Sequence, residues 1–375
     1  MLKGIYLSLF VGPMIPTPAL PEVANALISA QVNTGAERSG FQLVFSLNKK
    51  SLLQSTLLPA GYFDPMITRV ILMVTLGGVP NVLIDGIVTR HEVAAHNEAG
   101  QTTLTLTGED LTVLMDVVQF PFMRFPCMPV TARLYAILAK YALVGIAPIV
   151  IPGLFEDFPS PTDKIPSQTE SDLAYIKRMA QHTGYIYYQE PGPAPGTSIF
   201  YFGPDVRLPI PQPALAVNMD ANTNVESLNF SLDGLAKKVV IMTILDPITK
   251  KIPIPIPVPN ISILRPPLGV RLTLPSKVEY PSDNTKLNSI EGIGLALART
   301  AASSDAVTAS GTLNVLRYGS VLRAHQLVGV RGAGITYDGM YYVRTVTHNL
   351  KKGEYKQSFT LSRDGLISQT PVVPV

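Results

Sequence analysis

Two histidines and a glutamate are the residues whose types most suggest chemistry, namely His91, Glu92 and His96. A zinc-protease helix carries its two histidines four positions apart, so that both side chains reach one metal ion. Here the spacing is five, which separates them by about 140° around a helix of 3.6 residues per turn. The neighbouring residues also predict strand and turn. We therefore predict a solvated loop and no metal site.

A cluster of four glycines lies between Val328 and Gly339. A dinucleotide-binding loop would need a further glycine three positions after Gly334, but Tyr337 stands there. The sequence predicts no helix after the cluster, so no helix N-terminus could receive a phosphate. A β-turn or bulge is the better interpretation.

The remaining candidates for catalysis are weak. Cys127 is the only cysteine, and its neighbours Pro126 and Met128 favour a buried apolar thiol over a reactive one. The sequence contains no Gly-x-Ser-x-Gly elbow. The aromatic run at residues 185–188 could stack on a sugar or base, but packing is favoured. The sequence therefore predicts a protein that is not an enzyme, with no catalytic, cofactor-binding or metal site.

The composition limits the class of protein. The chain has 375 residues, of which 15% are charged and 46% hydrophobic. Such a low charge content fits either a large interior or extensive burial against other subunits, and both interpretations stay open. The net charge of +3 is small and scattered, which argues against a nucleic-acid partner. Residues 141–155 are too short and proline-rich to cross a membrane, so no membrane insertion is expected.

Alternating apolar residues predict a mainly β fold with an α/β insert. Residues 1–110 are predicted to form a first β-barrel domain that residues 196–235 complete, with a short helix from Pro21 and a turn at Asp85-Gly86. Residues 111–195 form the insert. Its first two predicted helices span residues 111–117 and 130–143, and the third opens at residues 169–172 and stops at Gly184, with Asp110 and Thr169 as capping residues.

The β pattern returns in residues 236–367, which are predicted to form a second β-barrel domain. Its residues 252–260 alternate proline with isoleucine or valine, which predicts an extended loop, since proline cannot donate to a central ladder. A helix is predicted at residues 289–300. Residues 355–361 alternate apolar and polar side chains as an amphipathic strand does. Residues 368–375 are expected to be a disordered tail.

Several segments resemble the phage late-control protein D family, which includes baseplate hub proteins of contractile phages and the N-terminal part of the type VI secretion protein VgrG. The resemblance lies in the sequence SDLAYIKRMA at residues 171–180, in GYIYY at 184–188 and in GMYYV at 339–343. The closing strands, VTH at 346–348 and GEYKQSFTLSR at 353–363, resemble the family as well. The family-signature positions, all structural, are Ser171, Asp172, Tyr175, Arg178, Gly184, Tyr185, Tyr187, Gly339, Tyr342, His348, Tyr355 and Arg363.

The resemblance implies a structural baseplate hub subunit of a phage-tail-like contractile injection system. Each chain would contribute two tube-type β barrels, and a homotrimer would form a pseudo-sixfold ring. That ring would join a sixfold inner tube to a threefold spike. The implied partners are the spike protein, an inner-tube or tube-initiator protein and baseplate wedge proteins, with assembly in the cytoplasm. VgrG proteins continue into a needle, whereas this sequence stops soon after Arg363, so we expect a separate spike polypeptide.

Three other functions stay open. The chain could be the tail-tip hub of a non-contractile tail, which neighbouring sheath genes would distinguish. It could be a baseplate-associated enzyme that degrades the cell wall, which would require converging carboxylates in a pocket. It could also be a secreted carbohydrate-binding β protein, which would be a monomer with measurable affinity for glycans.

Overall fold

The structure is a computed structural model. It describes residues 4–35, 38–48, 50–95, 102–153, 162, 165–207, 211–245, 253–257, 266–279 and 305–370. The fold is mainly β, as the sequence predicts. No helix in these residues is both long and apolar enough to cross a membrane.

The chain falls into three blocks by strand pairing. The N-terminal block contains β1 (Ile5–Gly12), β2 (Thr17–Pro18), α1 (Pro21–Ala26), β3 (Leu27–Thr34), β4 (Gly40–Ser46), a π-helical turn (Leu53–Leu57), β5 (Arg69–Leu76), β6 (Val79–Ala94) and β7 (Thr103–Asp110). The insert contains a 3-10 helix (Leu111–Asp116), β8 (Met123–Arg124), α2 (Val130–Leu138), a second 3-10 helix (Ala139–Val144), β9 (Ile146–Val150), β10 (Ser167–Gln168), α3 (Asp172–Thr183), β11 (Ile186–Pro191) and β12 (Ser198–Gly203).

The C-terminal block follows. It contains β13 (Gln212–Ala216), a 3-10 turn (Asp220–Asn222), β14 (Val225–Leu232), β15 (Lys238–Leu245), β16 (Pro253–Pro257), β17 (Gly269–Leu272), β18 (Lys277–Glu279), β19 (Val307–Asn314), α4 (Val315–Tyr318), β20 (Leu327–Arg331), β21 (Gly339–Lys351), β22 (Glu354–Arg363) and β23 (Gly365–Ser368).

One 13-stranded sheet runs through both outer blocks, in the order β14-β19-β22-β21-β3-β4-β7-β6-β5-β1-β2, with β13 and β20 attached beside β21. The expectation of two closed barrels is not met, since this path does not return on itself within the described residues. The reason is the antiparallel pairing of β21 with β3, which joins the two blocks side by side. Each block therefore extends the other instead of closing alone.

The predicted completion of the first block by residues 196–235 is also not seen. In that range, β12 pairs in parallel with β9 and antiparallel with β11, which makes a three-stranded sheet inside the insert. β13 pairs with β20, and β14 pairs with β19, so both belong to the C-terminal block. The wider division into domains stays a prediction.

The turn predicted at Asp85-Gly86 is wrong, because both residues lie inside β6. The hairpin between β5 and β6 turns instead at Gly77 and Gly78, whose φ angles of +58° and +89° suit glycine. Asp85 is tolerated inside the strand because the Arg69 guanidinium pairs with it, at 2.7 Å for both nitrogen–oxygen contacts. Burial raises the pKa of Asp85, and the Arg69 hydrogen bonds oppose that rise.

Most predicted helices are present with shifted ends. α1 starts at Pro21 as predicted, but it ends at Ala26, and Leu27 already belongs to β3. Asp110 caps the 3-10 helix Leu111–Asp116 by accepting a hydrogen bond from the Thr112 amide. The prediction that Thr169 caps α3 is wrong: Ser171 is the N-cap, and its Oγ accepts from the Ala174 amide.

The proline-rich segment differs from the predicted loop. Pro253–Pro257 forms β16, an edge strand that pairs antiparallel with β15 in the order β16-β15-β18. An edge position suits proline because the missing N–H groups need no ladder partner there. Residue 368, expected to be in a disordered tail, ends β23. The helix predicted at 289–300 and residues 371–375 lie outside the described residues.

Two cores hold these blocks together. The larger core runs through both outer blocks, with fully buried side chains that include Val32 and Leu43 on one side and Val346 and Leu361 on the other. The insert has its own core, in which Leu134 and Ile176 pack against Phe200. A shared core makes the two outer blocks a single packing unit, to which the insert is attached.

The Arg69–Asp85 pair yields a stability prediction. The substitution Arg69→Met leaves the buried Asp85 carboxylate without its partner. We therefore expect a loss of about 3–5 kcal/mol in the free energy of unfolding, measured with urea. Arg69→Met combined with Asp85→Leu should cost clearly less, because no unpaired charge remains. The exposed Arg90–Glu92 pair provides the control: Arg90→Ala should cost less than about 1 kcal/mol. Equal losses of unfolding free energy for Arg69→Met and Arg90→Ala would contradict this account.

Candidate functional site

The three blocks meet at one junction, which consists of Asn81, Tyr188, Glu190, Arg323 and His325. Arg323 comes from the loop between α4 and β20. Its guanidinium donates to Asn81 Oδ1 on β6 at 3.2 Å and lies 3.5 Å from Glu190 Oε1 on β11. Burial raises the pKa of Glu190, and the charge of Arg323 counteracts that rise. One side chain therefore connects all three blocks.

His325 makes the second contact of the junction. Its ring stacks on that of Tyr188, with centroids 3.8 Å apart and planes only 7° from parallel. Its Nδ1 lies 3.1 Å from the Tyr342 hydroxyl. Burial lowers the pKa of His325 to about 4, so the ring is neutral near pH 7 and stacks as an uncharged aromatic.

A shallow cleft that is open to solvent lies at the junction, lined by Thr34, Ser39, Tyr188, Glu190, Arg323 and His325 among others. Among the described residues that line it, Glu190 is the only carboxylate, and Arg323 is paired with it. Glycoside hydrolysis ordinarily uses two carboxyl groups flanking the bond to be cleaved. The described residues of the lining do not present that arrangement.

A buried ionic network lies behind the junction. Arg207 donates to both oxygens of Asp305, at 2.9 and 2.7 Å, and its guanidinium lies 4.8 Å from the centre of the Tyr342 ring. Asp305 also accepts from Arg344 and from the Ser362 hydroxyl, each at 2.7 Å. The network ties the segment after the insert to β21 and β22. Tyr342, a family-signature residue, lies between it and the junction.

The signature residues at the start of α3 form a second buried network. Besides capping the helix, Ser171 donates to Asp116 at 2.6 Å. Asp172 is fully buried, and it accepts from the Tyr141 hydroxyl and the Gln168 amide at 2.7 Å each. Lys140 completes its partners at 2.6 Å. The network fixes α3 against the segments that precede it.

The next turn of α3 continues this arrangement. Arg133 on α2 donates to the buried Tyr175 hydroxyl at 2.7 Å. Arg178 donates to Glu170 at 2.7 Å and also lies over the Tyr175 ring, 4.9 Å from its centre. One arginine thus binds the hydroxyl of Tyr175 and the other packs on its ring. The contact with Arg133 links α2 to α3.

The end of α3 and the strand after it use the other signature residues of the insert. Gly184 ends the helix with a left-handed φ of +71°. The Tyr185 hydroxyl donates to the Pro152 carbonyl at 3.0 Å, and Tyr187 is buried against Phe200. These contacts agree with packing, which the sequence analysis favours over a stacking platform.

His348 occupies a buried position in the C-terminal block. Its Nδ1 lies 2.7 Å from the Tyr355 hydroxyl and 3.2 Å from Gln357 Nε2. Gln357 in turn donates to the Leu322 carbonyl and accepts from the Leu322 amide, which anchors the loop that carries Arg323. Burial, aided by the positive charge of Arg323, lowers the pKa of His348 to about 3.

Arg363 is fully buried, yet its guanidinium is satisfied by the main chain. It donates to the carbonyls of Gly365, Asp338 and Thr336 at 2.7, 2.8 and 2.9 Å. Burial lowers its pKa from the ordinary value. Gly339 lies beside it with a φ of +121°, and a Cβ there would come within 2.1 Å of the Ser368 side chain. Both signature residues shape the start of β21 and the entry to β23.

The positions considered for chemistry in the sequence are dispersed. The predicted loop is wrong for His91 and Glu92, which lie inside β6, and His91 Nδ1 is 3.3 Å from the Phe63 carbonyl. His96 lies outside the described residues. No group of three histidine, cysteine or carboxylate side chains in the described part of the chain could hold a metal ion. The expectation that Cys127 is buried is wrong, since its side chain is exposed in a loop where its φ is +56°.

The sequence does not predict that these junction residues lie together. Arg207 and Asp305 are 98 positions apart, and Arg323 lies 133 positions from Glu190. Neither pair has a local spacing that signals contact. The only related signal in the sequence is that Tyr342 and His348 are family-signature residues. Tyr342 contacts the junction, and His348 contacts the side chain that anchors its supporting loop.

Comparison with known proteins gives the class of fold. The sequence matches no family model and no curated protein. Solved structures do match, and two of them match over almost their whole length. A tail protein from Neisseria meningitidis is 14% identical, with a TM-score of 0.63 over 97% of this chain and 98% of that one. The 43 kDa tail protein of prophage MuSo2 from Shewanella oneidensis is 12% identical, with a TM-score of 0.62 over 97% and 100%.

A third structure extends the class beyond phages. An Escherichia coli component of the type VI secretion system, described as similar to the T4 bacteriophage tail proteins gp27 and gp5, gives a TM-score of 0.55 at 11% identity over 93% of this chain and 76% of that one. At such identities the likeness establishes the fold. This chain has the fold of these tail proteins and of that type VI secretion component, which confirms the resemblance at the level of the fold.

The buried histidine gives a pH prediction. Because the pKa of His348 is lower in the folded state, the folded protein favours the neutral ring. The resulting contribution to stability is fully present above the unfolded-state pKa of 6.5 and is lost as the pH falls towards 3. Between pH 7 and pH 4 we expect His348 to account for a loss of about 3 kcal/mol in unfolding free energy. Urea titrations of the native protein and His348→Gln, which does not titrate, measure the difference. Parallel pH profiles for the two proteins would contradict the prediction.

Proposed function

We propose that this chain is a structural baseplate hub subunit of a phage-tail-like contractile injection system. The observation that carries the proposal is end-to-end similarity to two tail proteins, one of them from a prophage, each covered over at least 98% of its own length. Similarity that includes the insert and both β blocks argues for a shared architecture and not for a common β motif. In this role the chain binds neighbouring subunits and acts mechanically.

The path of the main sheet supports assembly into a ring. Eight strands follow one another from β14 through β19, β22, β21, β3, β4 and β7 to β6, and every neighbouring pair is antiparallel. The two outer blocks contribute four strands each. Two comparable four-stranded units per chain are what a threefold assembly needs to present sixfold symmetry.

Both ends of this eight-stranded path have unpaired edges. Among the described residues, β14 pairs only with β19, and the part of β6 after Val88 pairs only with β7. Exposed edge strands readily pair with strands of other chains. Because directions alternate, β14 and β6 run oppositely, so β6 of one copy could meet β14 of the next antiparallel. We propose that a homotrimer closes in this way.

The proposed ring would receive the inner tube or a tube-initiator protein on one face and the spike protein on the other. Wedge proteins of the baseplate would surround it, and assembly would take place in the cytoplasm. Within this proposal, the junction around Arg323 fixes the angle between the insert and the two β blocks. A mechanical adaptor needs such rigidity, because the load passes through the contacts between blocks.

The absolute mass of the purified protein is the first test. We expect light scattering to give a trimer, or a three-to-three complex after mixing with a candidate spike protein. A monomer that does not bind the spike and degrades peptidoglycan would contradict the proposal and favour a cell-wall enzyme. A monomer with measurable affinity for glycans would favour the carbohydrate-binding alternative.

The edge pairing makes a sharper prediction. Val93→Lys on β6 and Leu232→Lys on β14 each place a charge at an exposed edge position, where lysine opposes strand pairing. We expect light scattering to give the mass of a monomer for both variants in place of the mass of a trimer. The thermal midpoint of unfolding of the monomer should not change. Leu143→Lys, at an exposed position in the insert, is the matched control and should remain a trimer. Trimeric Val93→Lys and Leu232→Lys proteins would exclude this mode of closure.

A further inference from the structure

A small β ribbon stands apart from the main sheet. It consists of β17 and β23, which pair antiparallel with Gly269 opposite Ser368 and Arg271 opposite Leu366. Two-stranded ribbons are marginally stable in water on their own. The ribbon must therefore be held by its surroundings.

Buried polar contacts fix the ribbon to the C-terminal block. Asp364 Oδ1 accepts from the amides of Leu268 and Gly269, at 2.9 and 3.0 Å. Arg363, fully buried, donates to the Gly365 carbonyl at the start of β23. A Cβ on Gly269 would come within 2.7 Å of the Gly365 backbone, so the two strands approach unusually closely. The ribbon is built as a rigid element.

The face that this rigid ribbon shows to solvent is apolar. Val270 and Leu272 lie on the same face of β17 and are 62% and 48% exposed. Leu274, two residues further on, is 85% exposed, and Ile367 on β23 is exposed as well. A strand at a protein surface ordinarily directs its apolar side chains inward and its polar ones outward. Such a stripe indicates a surface that a partner covers.

The outer edge of β17 is open, and its strand carries the exposed Arg271. Among the described residues, β17 pairs only with β23, so its other edge has no neighbouring strand. Arg271 and, on β18, Lys277 are exposed, and neither forms an ion pair within the described part of the chain. Arg271 alternates with Val270 and Leu272, so an added strand would place one side chain beside the cation and its neighbours beside the apolar stripe.

We propose that the edge of β17 is a strand-addition site for an extended segment of a partner protein in which apolar and acidic side chains alternate. Main-chain hydrogen bonds to the open edge would provide affinity, and the alternating side chains would provide specificity. The apolar residues of the partner would cover Val270 and Leu272, and its acidic residue would lie across from Arg271. The site does not depend on trimer closure, which uses β6 and β14.

The test uses the full-length protein and a labelled, blocked peptide of sequence Ser-Val-Glu-Val-Ser-Val-Ser, with binding followed by fluorescence anisotropy. Leu272→Asp should weaken binding at least about 10-fold, because it removes buried apolar area. Arg271→Glu should weaken it about 3- to 10-fold, and a peptide with lysine in place of glutamate should recover that loss. Both positions are exposed, so the variants are expected to keep the native fold, which circular dichroism verifies.

Two controls separate strand addition from nonspecific adhesion. Leu143→Asp changes an equally exposed leucine in the insert and should leave binding unchanged. A peptide N-methylated at alternate residues keeps its side chains but loses donors along one edge, and it should bind at least about 10-fold more weakly.

Several results would overturn the proposal. These are the absence of peptide binding, equal binding of the N-methylated peptide, and equal binding by Leu272→Asp. A dimer that Leu272→Asp abolishes would show that a second copy of this chain occupies the edge instead. The trimer measurement is independent of all of these outcomes, so failure of the site and failure of the hub proposal are distinguishable.

Discussion

The pairing of β3 with β21 is the contact on which the remainder of the architecture depends. Six residue pairs, from Val346 opposite Thr34 to Lys351 opposite Ser29, join strands more than 300 positions apart in sequence. The register is set by alternation, because Val32 and Ala30 on β3 and His348 and Leu350 on β21 all turn into the shared core. A shift of one residue would place these side chains in solvent and polar ones in the core.

This pairing also explains why the junction forms. Gly35, directly after β3, packs so closely on the Arg344 carbonyl that a Cβ would come within 2.1 Å of it, and its φ is +94°. With β3 and β21 fixed at this distance, the loop carrying Arg323 reaches both β6 and β11. His348 then supports the loop from below through Gln357. Long-range closure of such a sheet is entropically costly, and the buried network makes it specific.

The sequence predicted those elements whose signals are local. The alternation of residues 355–361 is matched by burial of Tyr355, Gln357, Phe359 and Leu361 in β22. Gly184 and Pro21 marked a helix end and a helix start correctly. The turn at Asp85 failed because a remote arginine, 16 positions earlier, neutralises the carboxylate inside a strand. The residue pattern could not predict whether the barrels close. Alternation specifies which face of a strand is buried, but it does not specify which strand lies beside that strand.

The same limit applies to the site. The signature residues of α3 were located from sequence order, but their partners Tyr141, Arg133 and Asp116 come from other elements. The ionic network around Asp305 has no sequence signal, because each of its arginines is separated from it by at least 39 positions. Composition left two interpretations open, a large interior or extensive burial against other subunits. A chain with only 15% charged residues cannot cover every edge and apolar stripe with charge.

The uncovered features lie where assembly would use them. β14 and the second half of β6 end the eight-stranded path, and the β17 ribbon stands outside it. Soluble proteins usually protect strand edges with lysine, proline or short length, and β16 shows that this chain can do so, with prolines at alternate positions of an edge strand. Within the described part of the chain, three other edges have no neighbouring strand, which is costly in a monomer because such edges promote aggregation. The cost disappears when each edge has a partner, so these edges are more consistent with a subunit of an assembly than with a protein that acts alone.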